Sequence, residues 1–148
     1  MSVVLQGVVS SRSSRGSGGP PGETEVMRLN PQREQKLLEI TGWSRLAPGT
    51  LNVECSETGL ADVFARLKPL WHEPWESVTY PRKYRRIPQK RGGYLYYGAA
   101  LVFAGQEAPI VVRRAVNPLK KRIEVYAETN LKEALGIADD DVVSISFE

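Results

Sequence analysis

The stretch Pro48-Gly49-Thr50-Leu51-Asn52 combines a tight turn with the start of a β-strand. Proline presets φ and glycine tolerates a positive φ, so this pair predicts a sharp reversal of the chain. Side chains alternate between two faces along the predicted strand Thr50–Cys55, which places Thr50 and Asn52 on one face. Two neutral oxygens beside a turn can hold a hard cation such as Mg²⁺, although Thr and Asn are also ordinary turn residues.

Short apolar runs on both sides of this turn indicate a mainly β protein with short helices. Strands are predicted at 3–9, 23–29, 50–55, 94–104, 108–114, 122–127 and 142–147, and helices at 31–41, 60–67 and 130–135. The segment 68–89 contains four prolines and reads as irregular. Because the connections are short and no run of βαβ units appears, the pattern predicts a barrel-like β domain rather than a parallel α/β sheet.

Composition limits the classes of function. The chain has 148 residues, which favours one domain, and its net charge of +3 suits a phosphate-bearing ligand. Cys55 and His72 are the only cysteine and histidine, so an intrachain disulfide is impossible and a structural zinc site is not expected. No apolar run approaches membrane length and the first residues do not resemble a secretory signal, so we expect a cytoplasmic protein without a membrane span.

Two segments can bind phosphates. A loop at about 10–23 is rich in glycine, serine and proline and is predicted to be flexible. Its glycines allow backbone N–H groups to approach an anion closely. The same composition is also typical of linkers. Further on, a strand delivers Glu124 just before a helix start at Thr129, where free N–H groups and Lys132 favour an anion. Glu124 could equally be a solvated strand residue, and Thr129 only a helix cap.

Three other features have more than one interpretation. Basic residues alternate with tyrosines in the segment 82–94, which can bind nucleic acid or form a solvated loop. Trp43, Trp71 and Trp75 could anchor a partner or lie in the core. The triplet Asp139-Asp140-Asp141 could bind a cation, but it more often forms a polar turn before a strand.

Taken in order, these pieces resemble the archaeal-type CTP-dependent riboflavin kinase family. The resemblance spans nearly the whole chain, and its most specific element is the Pro-Gly-Thr-Leu-Asn turn. The matching stretches are Leu5-Gln6-Gly7-Val8-Val9-Ser10, Pro48-Gly49-Thr50-Leu51-Asn52-Val53, the hairpin 96–112, Ile123-Glu124-Val125-Tyr126-Ala127, Asn130-Leu131-Lys132, Gly136-Ile137 and Asp139-Asp140-Asp141-Val142-Val143.

The resemblance implies a compact cradle-loop (RIFT-like) β-barrel forming a single domain over 1–148. It also implies transfer of the γ-phosphoryl group of CTP to riboflavin, giving FMN and CDP, in a monomer. By position, Thr50 and Asn52 would hold Mg²⁺, and Glu124 would contact the flavin or orient its attacking hydroxyl. The nucleotide would contact residues in two places: Gly16, Gly18, Gly19 and Gly22 in the loop, and Thr129, Asn130, Leu131 and Lys132.

This sequence departs from the family at four places. The usual short Gly-x-Gly-Glu-Gly loop is replaced by the longer segment 11–23, and Val116 stands where a hydroxyl residue is usual. Lys132 replaces an arginine, and Asp140 replaces a glycine. Two alternatives therefore stand beside the kinase: a non-catalytic module that binds flavin, nucleotide or nucleic acid on the same barrel, and a small partner-binding adaptor.

Overall fold

The computed structural model describes residues 3–10, 27–48, 50–79, 92–116 and 121–147. Within these residues the chain forms seven strands, three complete α-helices and a 3₁₀ turn at Trp75–Ser77, and residues 27–29 are also helical. The strands are β1 (Val3–Ser10), β2 (Leu51–Glu54), β3 (Trp71–Glu73), β4 (Tyr94–Phe103), β5 (Gln106–Ala115), β6 (Arg122–Tyr126) and β7 (Val142–Phe147). The helices are α1 (Pro31–Thr41), α2 (Glu57–Phe64) and α3 (Leu131–Leu135).

Six of these strands close into an antiparallel barrel, in the order β4-β5-β6-β2-β1-β7 and back to β4. Strand β4 makes the closure possible because it pairs with different partners along one edge. Its first residues pair with β3, where Tyr94 lies opposite Glu73, and its later residues pair with β7, where Leu101 lies opposite Ile145. The prediction of a mainly β barrel with short helices is confirmed.

Alternate side chains of every barrel strand fill the interior. Gly7 lies where β1 passes closest to β2: a Cβ at this position would stand 2.4 Å from Cγ1 of Val53, so only glycine fits here. The buried interior cluster includes Leu5, Val53, Leu101, Val112, Ile123 and Ile145.

A second apolar cluster covers the outer face of β4, β5 and β6. Helix α1 contributes Leu37, and the three tryptophans pack against the same cluster, so they are half-buried. Trp71 stacks on Tyr96 with ring centroids 4.6 Å apart. The cluster is built on Leu37, Tyr94, Tyr96, Val111, Ala115 and Tyr126.

Several predicted boundaries change in the structure. Helix α1 and strand β7 have the predicted bounds, whereas α2 begins earlier than predicted because the Ser56 side chain caps it by accepting a hydrogen bond from Gly59 N at 3.0 Å. Residues 27–29 are helical, so the returning strand predicted there is wrong for its described part. Strand β3 and the 3₁₀ turn lie in a segment predicted to be irregular.

The predicted glycine loop and most of the basic segment lie outside the described residues. In the part of the chain that is described, no helix is both long and apolar enough to cross a membrane.

Candidate functional site

Four polar side chains form a row across the outer face of four neighbouring strands. Ser10 lies opposite Asn52, Asn52 lies opposite Glu124, and Glu124 lies opposite Arg113. Residues directly opposite each other in antiparallel strands have their Cβ atoms about 5 Å apart and project from the same face. The pairing of β2 with β6 therefore brings the predicted metal ligand Asn52 beside the predicted catalytic residue Glu124.

One member of this row, Ser10, has a buried hydroxyl oxygen without a hydrogen-bond partner among the described residues. Asn52 is only 7% exposed as a residue, and among the described residues none forms a hydrogen bond with its side-chain amide, which keeps contact with solvent. Buried polar atoms are almost always hydrogen-bonded, so the Ser10 hydroxyl beside Asn52 indicates a place where a ligand or ion can supply the missing contact.

The other two members are bonded to each other. Arg113 Nη2 donates to Glu124 Oε2 at 2.8 Å, with side-chain exposures of 7% and 24%. Glu124 thus projects from the outer face of the barrel rather than into its core, and it keeps a solvent-accessible side. A partly exposed carboxylate with one oxygen held in place can still bind a ligand through the other.

A polar pocket of about 190 Å³ opens beside this row. Thr50 and Thr129 to Lys132 line it, so the predicted metal ligand and the four predicted nucleotide contacts from the second half of the chain share one cavity. Leu51 and Val125 also line it and point into the barrel interior, whereas their chain neighbours Asn52 and Glu124 project from the outer face and do not line the pocket. The volume is below the roughly 300–1,000 Å³ of pockets that enclose a whole small ligand, so it accommodates one part of a nucleotide.

Backbone and side-chain hydrogen bonds join the segment 44–47 to the segment 127–128 on the two sides of this pocket. Ala47 N donates to Ala127 O at 2.9 Å. Ser44 N and Oγ donate to Glu128 Oε2 at 3.0 and 3.1 Å, and Arg45 Nε donates to Glu128 O at 3.1 Å. The turn that carries Thr50 is therefore fixed relative to the segment that carries Thr129.

The positive charge at the pocket comes from a paired lysine. Lys132 Nζ donates to Asp139 Oδ1 at 2.8 Å, and both side chains are almost half exposed. An exposed pair of this kind is weak, so an anionic ligand can compete for the ammonium group. Helix α3 has only five residues, and Asn130 Oδ1 already accepts from Glu133 N, so its N-terminus adds less attraction for an anion than the sequence implied.

Other predicted site residues are placed less favourably or are not described. The Leu131 side chain is buried in the interior cluster, so only its backbone can contact a ligand in the pocket. The acidic triplet forms the predicted turn, in which Asp141 Oδ2 accepts from Ala138 N at 2.8 Å. The predicted nucleotide contacts Gly16, Gly18, Gly19 and Gly22 lie outside the described residues.

The metal prediction rests on neutral oxygens rather than on a carboxylate cluster. Within the described residues, no group of three or more His, Cys, Asp or Glu side chains is placed to hold a metal ion. Thr50 and Asn52 fit a weakly held Mg²⁺, because this ion keeps several waters and takes further oxygens from phosphates. The structural observation that fits such an ion is that the Asn52 amide makes no hydrogen bond to a described residue, so its oxygen is available as a ligand.

Sequence reasoning missed Ser10 and Arg113 as members of the site. Ser10 was predicted to begin the glycine-rich loop, whereas in the structure it is the last residue of β1, and its importance depends on which residue it faces. Arg113 belongs to an apolar hairpin strand, and nothing in its neighbours marks it. The only signal is alternation, which puts Arg113 on the opposite face from Val112, so the pairing register was needed to find it.

The fold and site define a class: a closed six-stranded antiparallel β-barrel with a polar row on its outer face and a small pocket beside it. A scan against protein-family models finds no matching family, and a search of curated proteins finds no matching relative. The function is therefore argued from the site itself.

Proposed function

We propose that this protein transfers the γ-phosphoryl group of CTP to the ribityl 5′-hydroxyl of riboflavin, giving FMN and CDP with the help of Mg²⁺. The observation that carries the proposal is the convergence of three sets of residues chosen from the sequence. Thr50 shares a pocket with the segment Thr129–Lys132, and Asn52 lies opposite Glu124 in the adjoining row.

Each set has a role that its chemistry supports. Thr50 and Asn52 would hold Mg²⁺, which when bound offsets the charge of the phosphates. The segment Thr129–Lys132 binds the nucleotide through backbone groups and the lysine ammonium. Glu124 accepts a hydrogen bond from the ribityl hydroxyl through the carboxylate oxygen that Arg113 does not occupy.

Phosphoryl transfer suits a site with this composition. The hydroxyl oxygen of riboflavin forms a bond to the γ-phosphorus and gives up its proton to solvent by way of the Glu124 carboxylate. The bond from that phosphorus to the β–γ bridging oxygen breaks, and its electron pair leaves with CDP. Little covalent chemistry is required of the protein, since positioning and charge neutralisation supply most of the rate. A site without histidine or reactive cysteine is sufficient for such a reaction.

The test is to incubate the purified protein with riboflavin, MgCl₂ and CTP, ATP, GTP or UTP in turn, and to separate FMN from riboflavin by chromatography. We expect FMN with CTP and a large loss of product in the Asn52→Ala and Glu124→Gln variants. Ser146→Ala is the matched control, because Ser146 lies on the outer face of β7 opposite Val4 and Ala100, outside the row.

The four donors separate the candidate functions. FMN from a different nucleotide would keep the kinase and change its donor. No FMN from any donor, with riboflavin fluorescence still quenched on binding, would assign the non-catalytic flavin-binding module instead. The adaptor hypothesis is tested separately, by surface labelling of Trp43, Trp71 and Trp75, which are half-buried against the outer cluster.

A further inference from the structure

We propose that Arg113 is a positioning residue for flavin recognition: it holds one oxygen of Glu124 so that the other is presented to the ribityl chain. The ligand class in this inference rests on the proposed function, but the role of Arg113 can be tested by binding alone. Neither composition nor any motif of the sequence marks Arg113, and the inference comes from strand register and contacts.

The first observation is the geometry of the pair. Arg113 lies directly opposite Glu124 in the pairing of β5 with β6, and its Nη2 donates to Glu124 Oε2 at 2.8 Å. Among the described residues, none donates a hydrogen bond to Glu124 Oε1. The carboxylate thus has one oxygen engaged and one available, and Glu124 itself lies opposite Asn52.

The second observation is that Arg113 has little freedom to move. Its guanidinium carbon lies 4.1 Å from the centroid of the Tyr94 ring, and the Arg113 and Tyr94 side chains are 7% and 3% exposed. When a planar guanidinium packs on an aromatic ring, both its position and the orientation of its plane are restricted. It can therefore fix the orientation of a bonded carboxylate more strictly than a lysine ammonium can.

The third observation concerns charge. A lone carboxylate beside a triphosphate would repel it, and in a partly buried site the repulsion is only weakly screened. The guanidinium of Arg113 stays ionised and carries the opposite charge next to Glu124. The guanidinium therefore offsets the charge of Glu124, so Glu124 can accept a hydrogen bond from a hydroxyl with less repulsion of the nucleotide.

A purely structural ion pair elsewhere in the molecule provides the comparison. Arg33 Nε and Nη2 donate to the two oxygens of Glu73 at 2.8 and 2.9 Å, and both side chains are fully buried. Tyr96 Oη also donates to Glu73 Oε1 at 2.8 Å, so both carboxylate oxygens are engaged. Glu73 has no oxygen left for a ligand, whereas Glu124 does.

The experiment is a double-mutant cycle on riboflavin affinity, measured by quenching of riboflavin fluorescence in the absence of nucleotide. We expect Arg113→Met and Glu124→Gln each to weaken riboflavin binding about 10- to 100-fold, the range expected for loss of a hydrogen bond to a charged group. The double variant should bind no more weakly than either single variant, because Arg113 acts through Glu124. Arg113→Lys should be intermediate, and Glu73→Gln should bind like the wild type despite lower stability.

Several outcomes would overturn the inference. They are wild-type affinity in Arg113→Met, additive losses in the double variant, or no riboflavin binding by the unaltered protein. If Arg113→Met does not fold, wild-type riboflavin affinity in Arg113→Lys would overturn the inference instead.

The measurements distinguish a wrong kinase proposal from a wrong role for Arg113. If the protein binds riboflavin and the cycle is non-additive but no FMN forms, the kinase is wrong and the role of Arg113 stands. If FMN forms while Arg113→Met binds and turns over like the wild type, the kinase stands and the role of Arg113 is wrong.

Discussion

At the scale of single residues, substitution of Asn52 should separate the loss of activity from the loss of stability most clearly. The side-chain amide of Asn52 makes no hydrogen bond to a described residue, so removal of the amide should cost the fold little. We expect Asn52→Ala to change the free energy of unfolding by less than about 1 kcal/mol while removing most Mg²⁺-dependent FMN formation. Urea denaturation and the FMN assay on the same preparation measure both effects. A loss of more than about 2 kcal/mol would instead show that the amide stabilises the fold.

Cys55 gives a prediction that depends on pH. Burial raises the pKa of its thiol from 9.0 to about 11. The folded state therefore disfavours the thiolate: stability is fully present below pH 9 and falls as the pH rises from 9 towards 11. We expect the urea midpoint of the wild type to fall more between pH 8 and pH 10.5 than that of Cys55→Ala. Equal decreases in the two proteins would contradict a buried thiol.

The same residues show what the sequence could and could not predict about the site. Thr50, Asn52 and Glu124 were found from a turn signal and a resemblance, and alternation placed Thr50 with Asn52. That Asn52 faces Glu124 depends on the register of β2 against β6, which is set by packing between segments more than 60 residues apart. Arg113 could not be found without that information, because its role is defined only by the residue opposite it.

At the scale of elements, the Arg33–Glu73 pair joins α1 to β3. Both side chains are buried, so removing one partner leaves an uncompensated charge. We expect Glu73→Gln to destabilise the protein by about 3–5 kcal/mol, measured by urea denaturation. Arg66→Ala is the control: Arg66 pairs with Asp62 but both side chains are more than 60% exposed, so the change should be small. A similarly small change in Glu73→Gln would mean that α1 is held by apolar contacts alone.

Strand β3 also shows why one element escaped prediction. It has only three residues and follows Pro69 closely, with Pro74 directly after it, and such a short run shows no clear alternation. Glu73 would not be expected in a buried position, since its burial requires Arg33 from a helix 40 residues earlier. The longer strands were predictable because apolar residues alone define them, as in Val142–Phe147, whereas β3 is stabilised by a partner that local sequence does not reveal.

At the scale of the whole molecule, two apolar clusters share one wall. Strands β4, β5 and β6 place Leu101, Val112 and Ile123 in the barrel interior. The opposite faces of the same strands place Tyr96, Val111 and Tyr126 in the outer cluster under α1. The polar row that includes Glu124 crosses this outer face, so the site depends on both clusters. Loss of the outer cluster would release Arg113 from Tyr94 and leave Glu124 unrestrained.

This shared wall predicts a single cooperative unfolding transition. All three tryptophans pack against the outer cluster, so tryptophan fluorescence reports on that cluster, whereas far-UV circular dichroism reports mainly on the barrel strands. We expect the two signals to give the same urea midpoint and slope, as two-state unfolding requires. If fluorescence changed at lower urea than circular dichroism, α1 and the outer cluster would detach before the barrel opens. Riboflavin affinity would then fall with the fluorescence signal, because the carboxylate of Glu124 keeps its orientation only while the outer cluster holds Arg113 in place.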